Sequence, residues 1–226
     1  MLRSWRFAVA VSLVLIVALR AMAGGIGETG TVDPKGVIEY LEGEVLLNGG
    51  EAVIGQEVTP GAVIETAENS YCEVVFAGHN IFRIEALSMA RIEIVEPRGK
   101  ITLEEGALAA VFQKIQRLNA SGGFRLETPT AVAGIRGTAF YIRLEDPNNT
   151  YICTCNGATR LADRAESFRR FVKSDRHKAL RFSRQGEQIR ALSAPLLYHD
   201  NPYMDALAAK IHSRIPWGAG GSEAGY

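Results

Sequence analysis

Cysteine and histidine are scarce in this sequence, three and four among 226 residues. An odd number of cysteines leaves at least one thiol unpaired whatever disulfides form. No apolar run reaches the roughly 20 residues that a membrane-spanning helix needs; the longest, Phe7 to Leu19, is broken by Ser12, so no stable span is expected in the processed chain. There is no G-x-S-x-G elbow, no H-E-x-x-H pair and no phosphate-binding loop, and no base stands beside Cys153 in the chain. The signatures of an enzyme are thus missing, and a non-catalytic protein is expected. Net charge is missing too, with 25 Lys and Arg against 25 Asp and Glu. What remains is an ordinary globular composition, 47% hydrophobic and 22% charged, in a chain long enough to bury a core.

The balanced total hides an asymmetry. Gly24 to Thr159 holds 10 basic and 18 acidic residues, whereas Arg160 to Arg190 holds 10 basic and 4 acidic. A basic segment after an acidic domain predicts a helix docked on that domain with its basic face solvated; nucleic acid is not the expected partner of an exported chain. Export is read from Met1 to Ala23: Arg3 and Arg6 precede the apolar run, and Ala21-Met22-Ala23 is a small-residue cleavage site. Cleavage after Ala23 places the protein in the periplasm or outside the cell, with residues 24–35 as a mobile leader. Kept as an anchor, the same segment has only six residues ahead of it, too few for a cytoplasmic domain.

From residue 36 the chain is built of short strand-like runs separated by glycines. Gly36–Leu41, Glu44–Leu47, Ala62–Thr66, Tyr71–Phe76, Ile81–Glu85, Arg91–Val95, Ile101–Glu104, Ala107–Gln113 and Gly123–Glu127 recur every ten residues or so, without an exact repeat. Cys72, Val74 and Phe76 alternate with Tyr71, Glu73 and Val75, and Ile92 and Ile94 share a face. Asn48-Gly49-Gly50, Gly78-His79-Asn80 and Arg98-Gly99-Lys100 are expected hairpin turns. The cadence predicts an all-β, twisted solenoid or sandwich over residues 36–160. A small α/β appendage over 161–217 follows, then a disordered tail, 218–226. Leu161, Phe168, Phe171 and Val172 predict an amphipathic helix over Ala162–Lys173. His177–Phe182 reads as a return strand that Ser193-Ala-Pro195 breaks off. Asp200 or Asn201 caps a last helix with Pro202 inside its start, its buried stripe being Met204, Leu207, Ile211 and Ile215.

The most specific stretch runs from Glu127 to Ile142. Pro129 gives no N–H to a ladder and biases Thr128 toward extended geometry, so a strand leaves the sheet there. Gly134 and Gly137 bracket Ile135 and Arg136 and permit a kink, after which Thr138 to Leu144 re-enters a strand with Phe140 and Ile142 on one face. Arg136 in that corner either ties loop carbonyls or a carboxylate together or recognises an anion or a partner. The order T-P-T-A-V-A-G-I-R-G-T-x-F, carried by Thr128, Pro129, Gly134, Arg136, Gly137, Thr138 and Phe140, resembles the signature of the FecR domain, a bacterial extracytoplasmic β module. A weaker likeness runs upstream through Gly36–Val45, Gly61–Thr66 and Ser70–Phe76 and ends near Gly157, about half of the chain. The resemblance implies a twisted all-β module that relays signals or binds an envelope protein or a cell-wall component, without catalysis. The family's sigma regulators carry a cytoplasmic helical domain for which this chain has no room, so direct control of a sigma factor is not expected.

Cys153 and Cys155 are not part of that pattern. On a strand they share a face, about 6.5 Å apart at Cα. Three readings stand: Cys72 pairs with one of them; both join His177 and His199 in holding zinc or another soft metal, or approach a haem; or both pack as small apolar side chains. The second makes the chain a metal- or haem-responsive sensor rather than a contact module.

Overall fold

A computed structural model describes residues 35–95, 98–113, 124–135, 137–165 and 167–218. The export segment, nearly all of the leader, Arg136 and the tail beyond Gly218 lie outside the described residues. In chain order the strands are β1 (Gly36–Glu42), β2 (Val45–Leu47), β3 (Gly50–Glu51), β4 (Glu57–Val58), β5 (Ala62–Thr66), β6 (Tyr71–Phe76), β7 (Asn80–Ile84), β8 (Ser88–Val95) and β9 (Arg98–Glu105). They continue as β10 (Ala107–Phe112), β11 (Phe124–Glu127), β12 (Val132–Ile135), β13 (Ala139–Asp146), β14 (Asn149–Ala162), β15 (Arg169–Ser174), β16 (Lys178–Gln185) and β17 (Gln188–Ala194), and a helix, α1 (Asn201–Ala209), closes the chain. The all-β expectation with a small helical appendage holds. Among the described residues no helix is long and apolar enough to cross a membrane.

The strands form two halves joined by β14. One half runs β4-β1-β6-β7-β10-β13-β14-β16-β17, antiparallel throughout. The other runs β3-β2-β5-β8-β9-β11-β12-β14-β15, with β9 and β11 its parallel pair. β14 passes from one to the other at Asn156–Gly157. Gly157 sits at φ +107 with the Gly137 carbonyl oxygen only 2.8 Å from where a Cβ would lie. Only glycine combines that backbone with that approach.

Period-two alternation then makes the first half the middle of three layers. Ile38, Val74, Phe82, Leu108, Phe140, Ile152 and Phe182 face the second half and meet Val45, Ile64, Ile92, Leu103 and Leu126 in one core. Phe112 packs edge-on against Phe76, Phe124 and Phe140 there, with centroids 5.2, 4.6 and 5.5 Å away. The intervening residues, Ala107, Ala109, Tyr141, Tyr151, Cys153 and Cys155, face the other way. They meet Met204, Leu207, Ala208, Ile211 and Ile215 in a second core under α1. β10, Ala-Leu-Ala-Ala-Val-Phe, is buried at all six positions because both its faces are covered.

Two expectations fail. Arg98-Gly99-Lys100 is strand, not turn: a Cβ on Gly99 would lie 2.3 Å from the Phe124 ring, so the glycine admits a neighbouring side chain. Ala162–Lys173 is not a helix but the end of β14, a turn and most of β15. The side chain of Asp163 accepts from the Phe168 N–H at 3.1 Å and from the Ser167 hydroxyl, which closes the turn. In β15 Val172 points into the core while Phe171 is 66% exposed, so alternation rather than a helical stripe governs the segment. The basic stretch therefore extends the sheet by hydrogen-bonded pairing and does not dock on it as a helix.

Candidate metal centre

The strand β14 carries Cys153 and Cys155 onto the face covered by α1, where both are fully buried with Sγ atoms 3.9 Å apart. Two separate chain segments bring an imidazole to each. The turn between β15 and β16 holds His177 at φ +33, its N–H donating to the Cys155 carbonyl at 2.9 Å. From there Nδ1 lies 3.6 Å from Cys153 Sγ. The segment after β17 returns over the same face and is fixed by Tyr151, whose hydroxyl accepts from the Leu197 N–H at 3.0 Å and donates to the Pro195 carbonyl at 3.2 Å. His199 follows, 91% buried, with Nε2 at 3.2 Å from Cys155 Sγ. The four donor atoms lie within 4.8 Å of one another.

The outer nitrogens of both rings are anchored. Asn201 Oδ1 faces His177 Nε2 at 2.5 Å, and the Leu197 carbonyl faces His199 Nδ1 at 2.9 Å. Each of these oxygens accepts, so each outer nitrogen carries the proton. Lone pairs on His177 Nδ1 and His199 Nε2 are thereby left aimed at the sulfurs. Tyr141 stacks on His199 at 4.5 Å, and Trp217 stacks on His177 at 5.1 Å. Burial pushes the Cys153 thiol up, but hydrogen bonds donated to its thiolate by Cys155, and by His177 and His199 when those rings are protonated, outweigh it and bring it well below its ordinary value. Burial, and then Cys153 itself, pushes Cys155 up.

The alternative with Cys72 falls. All three cysteines are free, and Cys72 points into the other core, away from β14's two thiols. Burial pushes its thiol up to about 12, the value of an inert packing residue.

The signature residues occupy structural positions. Thr128 closes the turn after β11, its N–H donating to the Ala131 carbonyl at 2.9 Å and its hydroxyl accepting from the Ala131 N–H at 3.0 Å. Thr128 and Thr130 both bond the Thr150 hydroxyl of β14, at 3.0 and 2.6 Å, and the Pro129 carbonyl accepts from Arg184. Thr138 clasps Ala158 from both sides, donating to its carbonyl at 2.8 Å and accepting from its N–H at 3.2 Å. Gly137 takes φ +62, Gly134 is ordinary strand in β12 and Phe140 is core. The sequence reading missed a second polar cluster under α1. Glu73, fully buried, is paired with Lys210 at 2.5 Å and Arg83 at 3.5 Å, while Tyr203 donates to Glu85. Strict alternation in β6 was the available signal, since it sends Glu73 to the face the last helix covers.

The outer face of the second half is different in kind. Register places Arg125, Gly134, Arg160 and Phe171 in one row across β11, β12, β14 and β15. Arg169 and Arg170 line the same shallow groove. Glu127 pairs with Arg125 at 3.5 Å and Arg164 at 3.3 Å.

Comparison with known proteins matches residues 62–159 to the family described as FecR protein, from β5 to just beyond the crossing of β14. Both cysteines fall inside that segment and both histidines outside it. Two crystal structures of a candidate anti-sigma factor from Parabacteroides distasonis, at 1.65 and 2.50 Å resolution, are similar. Each is 12% identical with a TM-score of 0.47, over 58% of this chain and 59% of that one. The chain thus spans less than two thirds of the length of those proteins. No curated protein matches the chain.

Proposed function

The chain carries a FecR-family domain, and on that premise we propose that it is a non-catalytic module of the bacterial cell envelope that relays a signal by contact with an acidic surface of another protein. The observation that carries this is the row Arg125, Gly134, Arg160 and Phe171. A phenylalanine two-thirds exposed among arginines is poorly placed for water and well suited to the centre of an interface, where arginine and aromatic anchors dominate binding. Gly134 keeps the middle of the row flat, and the guanidinium forks of Arg125, Arg160, Arg169 and Arg170 match carboxylates. The basic, apolar and small-residue order of Met1 to Ala23 supports a site of action outside the cytoplasm.

The test compares the tagged chain with R160E/R170E/F171A in capture from envelope extract, after both have been matched in thermal melting. Loss of the captured protein in the variant, with capture by wild type weakened at high salt, supports the reading. Equal capture by both, or retention on cell-wall sacculi alone, would overturn it.

A further inference from the structure

We propose that Cys153, Cys155, His177 and His199 form a closed tetrahedral site for one zinc ion, and that this ion fastens the C-terminal segment onto the middle sheet. The inference does not depend on the contact row: no residue of that row belongs to the site.

Edge lengths decide the geometry. Zinc binds thiolate sulfur at about 2.3 Å and imidazole nitrogen at about 2.0 Å. A regular tetrahedron of such bonds has S···S edges of about 3.8 Å and S···N edges of about 3.5 Å. Three of the six corresponding separations are 3.9 Å between the sulfurs, 3.6 Å from Cys153 to His177 and 3.2 Å from Cys155 to His199, and all six lie within 4.8 Å. Each of these contacts alone is the length of a thiol hydrogen bond; what points to an ion is their convergence, four donor atoms within 4.8 Å of one another with both imidazole lone pairs turned inward. Asn201 and the Leu197 carbonyl complete the second shell that metal-bound histidines require.

The donor set selects the ion. Two thiolates with two imidazoles in a tetrahedron suit zinc, and four protein ligands leave no open position, which marks a structural rather than a catalytic site. A haem has no room: both cysteines are fully buried, and the Tyr141 and Trp217 rings already cover the histidines. The ion's role follows from where its ligands originate. The cysteines belong to one strand, His177 to a turn and His199 to the residue before the Asp200 cap of α1. Binding therefore closes a loop between β14 and the helix, and it steadies His177 and Tyr198, which are held at φ +33 and +69.

The full chain purified under reducing conditions should contain one zinc per molecule by elemental analysis. Cobalt substitution should give the intense visible bands of tetrahedral thiolate coordination. C153S/C155S should lose both signals, and C72A should keep both. To separate loss of metal from loss of fold in the double variant, Asn201→Ala provides a second reading: it spares all four ligands and should weaken zinc in a chelator competition by about 10- to 100-fold. Zinc removal should change Trp217 fluorescence, since that ring lies on His177. Reduced protein that is folded and metal-free with all three thiols titratable would overturn the site, and stoichiometric copper or iron in its place would overturn the choice of ion.

Discussion

The two faces of the middle sheet are made by the same strands and could hardly differ more. Toward the second half they present Phe76, Phe82, Phe112, Phe140 and Phe182, large apolar side chains that fill the space between sheets. Toward α1 they present Ala107, Ala109, Ala139 and Ala179, with thiols, tyrosines and Glu73 between them. Small residues hold the covering segment close, and the polar groups meet partners brought by that segment. One face makes the fold; the other is where chemistry can be built. The strands of the FecR-matched segment supply both faces, but only the later segment completes the second.

The largest effect expected from this contrast lies on the apolar face. Phe140→Ala leaves a void beside the Phe112 ring in the buried core and should lower unfolding free energy by about 3–5 kcal/mol in a urea titration. Equal losses from Phe140→Ala and from truncation of a small second-face residue would mean that the faces do not divide labour as described. On the polar face the corresponding cut is Lys210→Met, which strips Glu73 of its 2.5 Å partner while Arg83 at 3.5 Å remains. Removing one member of a buried pair costs about 3–5 kcal/mol; with Lys210 partly exposed, about 2 kcal/mol is expected. The double variant E73Q/K210M should recover most of it, and a double variant as unstable as the single one would show that the charges act independently.

A third substitution tests the hinge that joins the halves. Gly157→Ala places a Cβ against the Gly137 carbonyl at φ +107 and should cost about 1–3 kcal/mol. A neutral result would show that β14 can cross between the halves by another path.

Most of the apolar face was legible in the sequence, because one-sided strands announce themselves by alternation. Ala62–Thr66 and Tyr71–Phe76 were read at their observed bounds, and the Asp200 cap, Pro202, Met204 and Leu207 located α1 and its buried side; the helix stops at Ala209, so Ile211 and Ile215 are buried in the segment after it rather than on its stripe. The failures have particular causes. Leu161, Phe168, Phe171 and Val172 mimic a helical stripe only when the turn closed by Asp163 is overlooked and the exposed Phe171 is counted as core. Gly99 looks like a turn residue because sequence cannot show that the Phe124 ring lies over it. The four residues of the candidate metal centre were nameable from residue type and the shared face of Cys153 and Cys155. The role of Asn201 was not, since a second-shell contact depends on where the chain returns after β17. Arg136, the residue most emphasised by the signature, lies outside the described residues.

The smallest effect concerns the clamp that holds the returning segment at its outer edge. Arg181 donates two hydrogen bonds to Glu145, at 2.6 and 2.7 Å, and the Tyr198 hydroxyl donates a third at 2.7 Å. The Arg181 hydrogen bonds hold the Glu145 carboxyl below its ordinary range, outweighing the opposing push from desolvation, and Tyr198 adds a smaller downward effect. A carboxyl whose folded value is depressed contributes stability that is fully present above its unfolded value of about 4.3 and is lost as the pH falls through the lower folded value. The side chain of Arg181 is 37% exposed, so the pair contributes less than about 1 kcal/mol. Wild type should therefore melt slightly above E145Q at pH 7, and the two should converge as the solution is acidified below pH 4 or so. Because Tyr198 precedes His199, the same substitution should also loosen the second face while leaving the first untouched: amide exchange should rise at Leu197 to Asn201 and stay unchanged in β10. Uniform exchange across both would mean that the clamp acts on the whole sheet rather than on the layer that covers it.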